Sequence, residues 1–112
     1  MPSDLASRIE RFAEMAEDLE AYLDERAELV ELFIRRELIE DALRAGAELA
    51  AADRARLDAA DAKLLRRRRR LLRRFPELFE DRPADVPRVY WWWYLDEGPR
   101  VREEPVAGAK ER

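Results

Sequence analysis

From Leu5 onward, apolar side chains recur alternately four and three residues apart: Leu5, Ile9, Phe12, Ala16, Leu19, Leu23, Val30 and Phe33. That spacing keeps one stripe of a helix apolar and is the pattern of a coiled-coil seam. No proline lies between Pro2 and Pro76, so nothing in that stretch forbids helix. The spacing predicts a first helix from about residue 4 to residue 51, with Ser3 or Asp4 able to cap its start. Such a helix would be roughly 70 Å long, too long to stand without something covering its seam.

A second helix is predicted from about residue 54 to 74, opened by Asp53 and stopped by Pro76, which disfavours helix at Phe75. Its seam is Leu57, Leu64 and Leu71. Folding the two helices together gives an all-α protein built on a long antiparallel, coiled-coil-like hairpin spanning residues 1–75. In the register that suits the charges, residue numbers of facing positions sum to about 105. Glu37 then faces Arg68, and Arg44 faces Asp61, so the polar seam residues pair with opposite charge and set the register. Residues 1–27 are left overhanging, and a second copy covering their apolar stripe would make a homodimer resembling a four-helix bundle.

Beyond Pro76 the character changes. Pro83, Pro87, Pro99 and Pro105 exclude another long helix. Residues 76–102 read as an extended, aromatic segment that packs on the bundle or a partner, and residues 103–112 as a disordered tail. In an extended chain Trp91 and Trp93 share one side, while Tyr90, Trp92 and Tyr94 share the other. Large amphipathic aromatics are common interface anchors, which makes these five the candidate partner-binding residues. The competing reading is that they cap the exposed stripe of the first helix.

Charge is segregated along the chain. Residues 1–53 carry a net −9, residues 54–75 a net +8, and residues 76–112 a net −3. The basic block centres on five consecutive arginines, Arg66 to Arg70, followed by Arg73 and Arg74. Five successive helical residues surround the helix, so they cannot share one face. Arg68 points to the seam, while Arg66, Arg67, Arg69, Arg70, Arg73 and Arg74 form a collar that could bind a polyanion. The same collar could instead match the acids of the first helix, Glu28, Glu31, Glu37, Glu40 and Asp41. The overall charge of −4 argues against diffuse DNA binding.

Cys, His, Asn, Gln and Thr are absent. Disulfides, thiolate metal sites and histidine acid–base chemistry are thereby excluded. Glu28-x-x-Glu31 and Glu37-x-x-Glu40 resemble the E-x-x-E patterns of all-helical magnesium pyrophosphohydrolases. The resemblance is confined to these four positions, a spacing that any Glu-rich helix generates. No catalytic residue, cofactor or metal is expected. With neither a membrane-length apolar run nor a signal-peptide pattern, the expected location is cytoplasmic, without a membrane role. The composition therefore suits a non-enzymatic helical protein–protein interaction module, an adaptor or accessory subunit that self-associates. The alternative is a small nucleic-acid-binding or antitoxin-like regulator that uses the arginine-rich helix.

Overall fold

The structure is a computed structural model that describes residues 4–19 and 26–97. The described residues are mostly helical with no strand, in the order α1 Asp4–Glu17, α2 Arg26–Arg44, α3 Ala51–Arg66, α4 Arg68–Arg74, α5 Pro76–Glu80 and a 3-10 segment Trp91–Glu97. The chain divides into two compact units, Met1–Arg67 and Arg68–Arg112. The overhanging position Leu23 and the tail 103–112 lie outside the described residues.

In the first unit, the predicted single helix is two helices. α1 packs against both α2 and α3. Its stripe of Leu5, Ile9, Phe12, Ala16 and Leu19 is buried, as the spacing predicts, but its own chain covers it. The overhang that called for a second copy is therefore absent, and the homodimer loses the reason that first suggested it. Once α2 is a separate helix, it need not continue the phase of α1. The seam phase Val30, Glu37, Arg44 gives way to Leu29, Leu32, Phe33, Arg36 and Ile39 as the buried set.

α2 ends where glycine permits a reversal. Gly46 has φ +103°, its N–H donates to Leu43 O (3.0 Å), and the Ala47 N–H donates to Ala42 O (3.0 Å). Both bonds satisfy terminal carbonyls in the manner of a Schellman cap. Gly46 thus ends the helix that the spacing carried on to about residue 51. α3 then starts at Ala51, with Ala50 in extended backbone at its N-cap and no side-chain cap. Asp53, expected as the cap, lies inside the first turn, where a carboxylate suits the positive end of the helix dipole.

The polar centre of this unit is an ion pair that the sequence register misassigned. Asp61 faces Arg36, two turns before the expected Arg44. Arg36 Nε donates to Asp61 Oδ1 at 2.9 Å and Nη2 to Oδ2 at 3.0 Å, the planar two-bond geometry of an Arg–carboxylate pair. Both side chains are almost fully enclosed, at 3% and 1% exposure. Arg36 Nη1 also donates to Glu40 Oε1 (3.1 Å), and the guanidinium carbon lies 5.9 Å from the centroid of Phe12. Phe12, Arg36 and Asp61 thus join all three helices near their midpoints. Arg44 instead bonds Glu40 Oε2 (3.0 Å) and is exposed. At the rim, Lys63 Nζ meets Glu17 Oε1 at 3.2 Å.

Removing one partner of a buried pair strands the other charge. Asp61→Ala is expected to cost about 3 kcal/mol, the low end for such pairs because Glu40 still meets Arg36. The apolar double variant Arg36→Met/Asp61→Leu is expected to recover most of that loss. Urea denaturation of the three proteins measures both effects; a double variant no more stable than Asp61→Ala would contradict the account.

Candidate functional site

The arginine run crosses a helix break. At Arg67 (φ −91°, ψ 3°) the N–H is shared between Lys63 O and Leu64 O, each at 3.1 Å, and α3 stops. Successive arginines three and four apart repel along a helix, whereas cations in a last turn complement its dipole. The break turns Lys63 and Arg66 into last-turn residues of α3, and α4 likewise ends on Arg73 and Arg74. Of the predicted collar, Arg66, Arg69, Arg70, Arg73 and Arg74 are exposed, and Arg67 is half-buried. Arg74 lies over the Phe75 ring, 5.5 Å from its centroid. Arg69 and Arg73, one turn apart on α4, make no ion pair or side-chain hydrogen bond with any described residue. Arg68, the expected seam partner of Glu37, donates from Nε to the Leu95 carbonyl at 2.5 Å. Glu37 itself is half-buried on α2.

That bond links α4 to the aromatic segment, which is not extended. After Pro87, Tyr90 N–H donates to Pro87 O and Trp93 N–H to Tyr90 O, both at 3.0 Å, and the chain winds into the 3-10 helix. The run is kinked at Tyr94 (φ −118°, ψ 30°); Trp91, Trp92, Tyr94 and Leu95 are buried, while Trp93 is half-buried and Asp96 exposed. Alternation in a strand would have grouped Trp91 with Trp93. Trp92 has no accessible surface; its ring meets Trp91 edge to face at 5.4 Å and Tyr90 at 5.4 Å. Trp91, Trp92 and Tyr94 therefore build the core of the second unit together with Leu71, Phe75, Leu78 and Phe79. Tyr90 and Trp93 are half-buried and are the members of the cluster with surface left to offer.

Two arginines that the sequence reading passed over hold this segment in place. Arg82 Nη1 lies 3.0 Å from Phe79 O, 3.1 Å from Trp93 O and 2.7 Å from Asp96 Oδ1. Its guanidinium sits 4.3 Å from the Tyr94 ring centroid, and that of Arg88 4.6 Å from the same ring. Arg88 also grips Glu97 with two hydrogen bonds, one of them 3.2 Å, and Tyr94 OH donates to Val86 O. A concavity of about 400 Å³ opens here, lined by Arg82, Val86, Arg88, Tyr94 and Glu97 among others. Its two guanidinium groups are engaged by Asp96 and Glu97. The only sequence signal was Pro83 and Pro87 flanking this loop, which marks a turn without naming its partners.

One member of each acid pair of α2 is bonded to neighbouring arginines. Glu31 accepts from Arg35 at 2.8 and 3.0 Å, and Glu40 from Arg36 and Arg44. Among the described residues no three Asp or Glu side chains converge where they could hold a metal ion. No helix among them is long and apolar enough to cross a membrane. On α2, Ile34 and Leu38 are 47% and 43% exposed, the exposed large apolar side chains among the described residues. No protein-family model, curated protein or solved structure matches this chain.

Two outcomes follow from this geometry. Trp92→Ala empties a fully enclosed site and is expected to cost about 3–5 kcal/mol, whereas the exposed Arg69→Ala should change stability by no more than about 0.5 kcal/mol. Chemical denaturation checks the contrast, and a Trp92→Ala protein as stable as wild type would show that the indole is not core. The second outcome concerns pH. The Glu97 carboxyl is held below its usual range, chiefly by the Arg88 hydrogen bond, against an opposing desolvation, with the charges of Arg88 and Arg82 adding to the lowering. A carboxyl lowered in the folded state binds its proton more readily when unfolded. Its contribution is full above the ordinary carboxyl pKa and is lost as pH falls through the depressed value. Glu97→Gln should therefore flatten the acid side of the stability–pH curve and leave its shape near neutrality unchanged. Melts of both proteins across that range provide the measurement.

Proposed function

We propose that this chain is a non-enzymatic helical protein–protein interaction module, an adaptor or accessory subunit that works by docking and also self-associates. The observation that carries the reading is the pair Ile34 and Leu38. They sit one turn apart on α2 and stay open, while Leu5, Ile9, Leu29, Leu32, Ile39, Leu57 and Leu64 of the first unit are 7% exposed or less, and Val30, Leu43, Leu49 and Leu65 are half-buried. Single exposed aliphatics are ordinary, but two on successive turns present a short ridge of the kind an apolar groove accepts. Asp41, exposed one turn further on, gives that ridge a charged edge, as protein interfaces have at their rims.

A second reading has its own support. The exposed row of Arg69, Arg70, Arg73 and Arg74 suits phosphates, which favours a small nucleic-acid-binding or antitoxin-like regulator. Fluorescence anisotropy with generic DNA and RNA at low salt tests it, and absence of binding there would end it.

For the docking reading, a photo-reactive amino acid placed at position 38 should yield a discrete protein adduct when the chain is expressed in its source cells. Ile34→Ser/Leu38→Ser should abolish the adduct formed from a neighbouring probe position while keeping the helical circular dichroism of wild type. Wild-type protein that yields no adduct, or a double variant that unfolds, would overturn the reading.

A further inference from the structure

We infer that the outer face of α4 docks into the acidic groove beside α1 of a second copy of this chain. The inference deepens the self-association within the proposed function and does not depend on Ile34 or Leu38. The donor face is defined by Arg69 and Arg73, both exposed, one helical turn apart, and unmatched by any described carboxylate. α4 contains no acidic residue at all, so nothing on the helix offsets them. Arg70 and Arg74 flank them and add to the positive field.

The acceptor is in the first unit. A concavity of about 390 Å³ lies along α1, lined by Glu10, Ala13, Glu14, Glu17, Asp18 and Arg56. Ala13 keeps its floor shallow, and the carboxylates stand around it. Glu17 meets Lys63, and Glu14 has one long, exposed contact with Arg11 at 3.5 Å. Glu10 and Asp18 make no ion pair with any described residue. Glu10 and Glu14 are spaced i, i+4 and so are Arg69 and Arg73, so both rows repeat at about 6 Å along their axes. Two helices laid side by side can match such rows residue for residue, each guanidinium meeting one carboxylate. A phosphate backbone would satisfy the arginines equally well, but it would leave the acid groove without a role. A second copy answers both surfaces with one contact. The contact joins two different surfaces, so each copy contributes one of each to the assembly.

Reversal of charge on each side gives the test. Wild-type protein in sedimentation velocity at roughly 50 mM salt should run heavier than a monomer and return to monomer at roughly 500 mM, where screening is short. Arg69→Glu/Arg73→Glu should be monomeric at both salts, and so should Glu10→Arg/Glu14→Arg, each with wild-type circular dichroism. An equimolar mixture of the two variants should associate again, because each supplies the surface complementary to the other. A wild type that stays monomeric at low salt, or a mixture that fails to associate, would overturn the inference. So would a monomeric wild type that binds a 20-nucleotide RNA or DNA through Arg69 and Arg73. Self-association that survives both charge reversals but is lost in Ile34→Ser/Leu38→Ser would overturn it too, while leaving the proposed function standing.

Discussion

The first unit depends on a charge pair sealed among apolar side chains. Arg36 and Asp61 lie at the level where α1, α2 and α3 meet, and each has almost no contact with solvent. Desolvating two charges is costly, and two good hydrogen bonds repay it only when both partners are in place. A sliding of α2 against α3 by one turn would bury both charges unpaired. The pair therefore acts less as a source of stability than as a penalty on every other alignment. Glu40 extends it outward, joining the enclosed Arg36 to the exposed Arg44.

The second unit is organised by arginines used in a different way. Arg68, Arg82 and Arg88 donate to carbonyls and carboxylates around the 3-10 helix, and two of them lie against Tyr94. A seven-residue helix such as α4 has little stability of its own. Trp91, Trp92, Tyr94 and Leu95 supply the buried surface that such a short element lacks. Of the aromatic cluster, Trp91, Trp92 and Tyr94 are consumed in holding this unit together, while Tyr90 and Trp93 keep part of their surface beside the exposed arginines of α4.

Much of the helical content was legible in the sequence. Leu57, Leu64 and Leu71, spaced seven apart, are each buried, the first two on α3 in the first unit and the last on α4 in the second. Pro76 stands at the first position of α5, directly after the stop it was expected to impose. Other features left no such trace. Between Glu17 and Arg26 the sequence has no glycine or proline, so periodicity ran straight through the point where one helix becomes two. The phase error followed from that. With α1 and α2 treated as continuous, a strict seven-residue repeat placed Glu37 and Arg44 in the seam, whereas a separate α2 is free to turn Arg36 inward. The winding of Trp91–Glu97, kinked at Tyr94, was hidden for a related reason: aromatic residue types favour strand locally, and the chain turns only because of where it packs in the second unit.

The sequence by itself determined that the described residues are mostly helical, that the chain's charges are segregated, and that thiol and imidazole chemistry are absent. Those properties are carried by local spacing and residue type. Tertiary structure decided which residues meet. It chose Arg36 over Arg44 for Asp61, bonded Arg68 to the Leu95 carbonyl, sank Trp92 into the core, and left Ile34, Leu38, Arg69 and Arg73 open. Each choice depends on where separate helices come to rest against one another, and pairing of this kind is fixed by packing and desolvation over long sequence distances that no local pattern records.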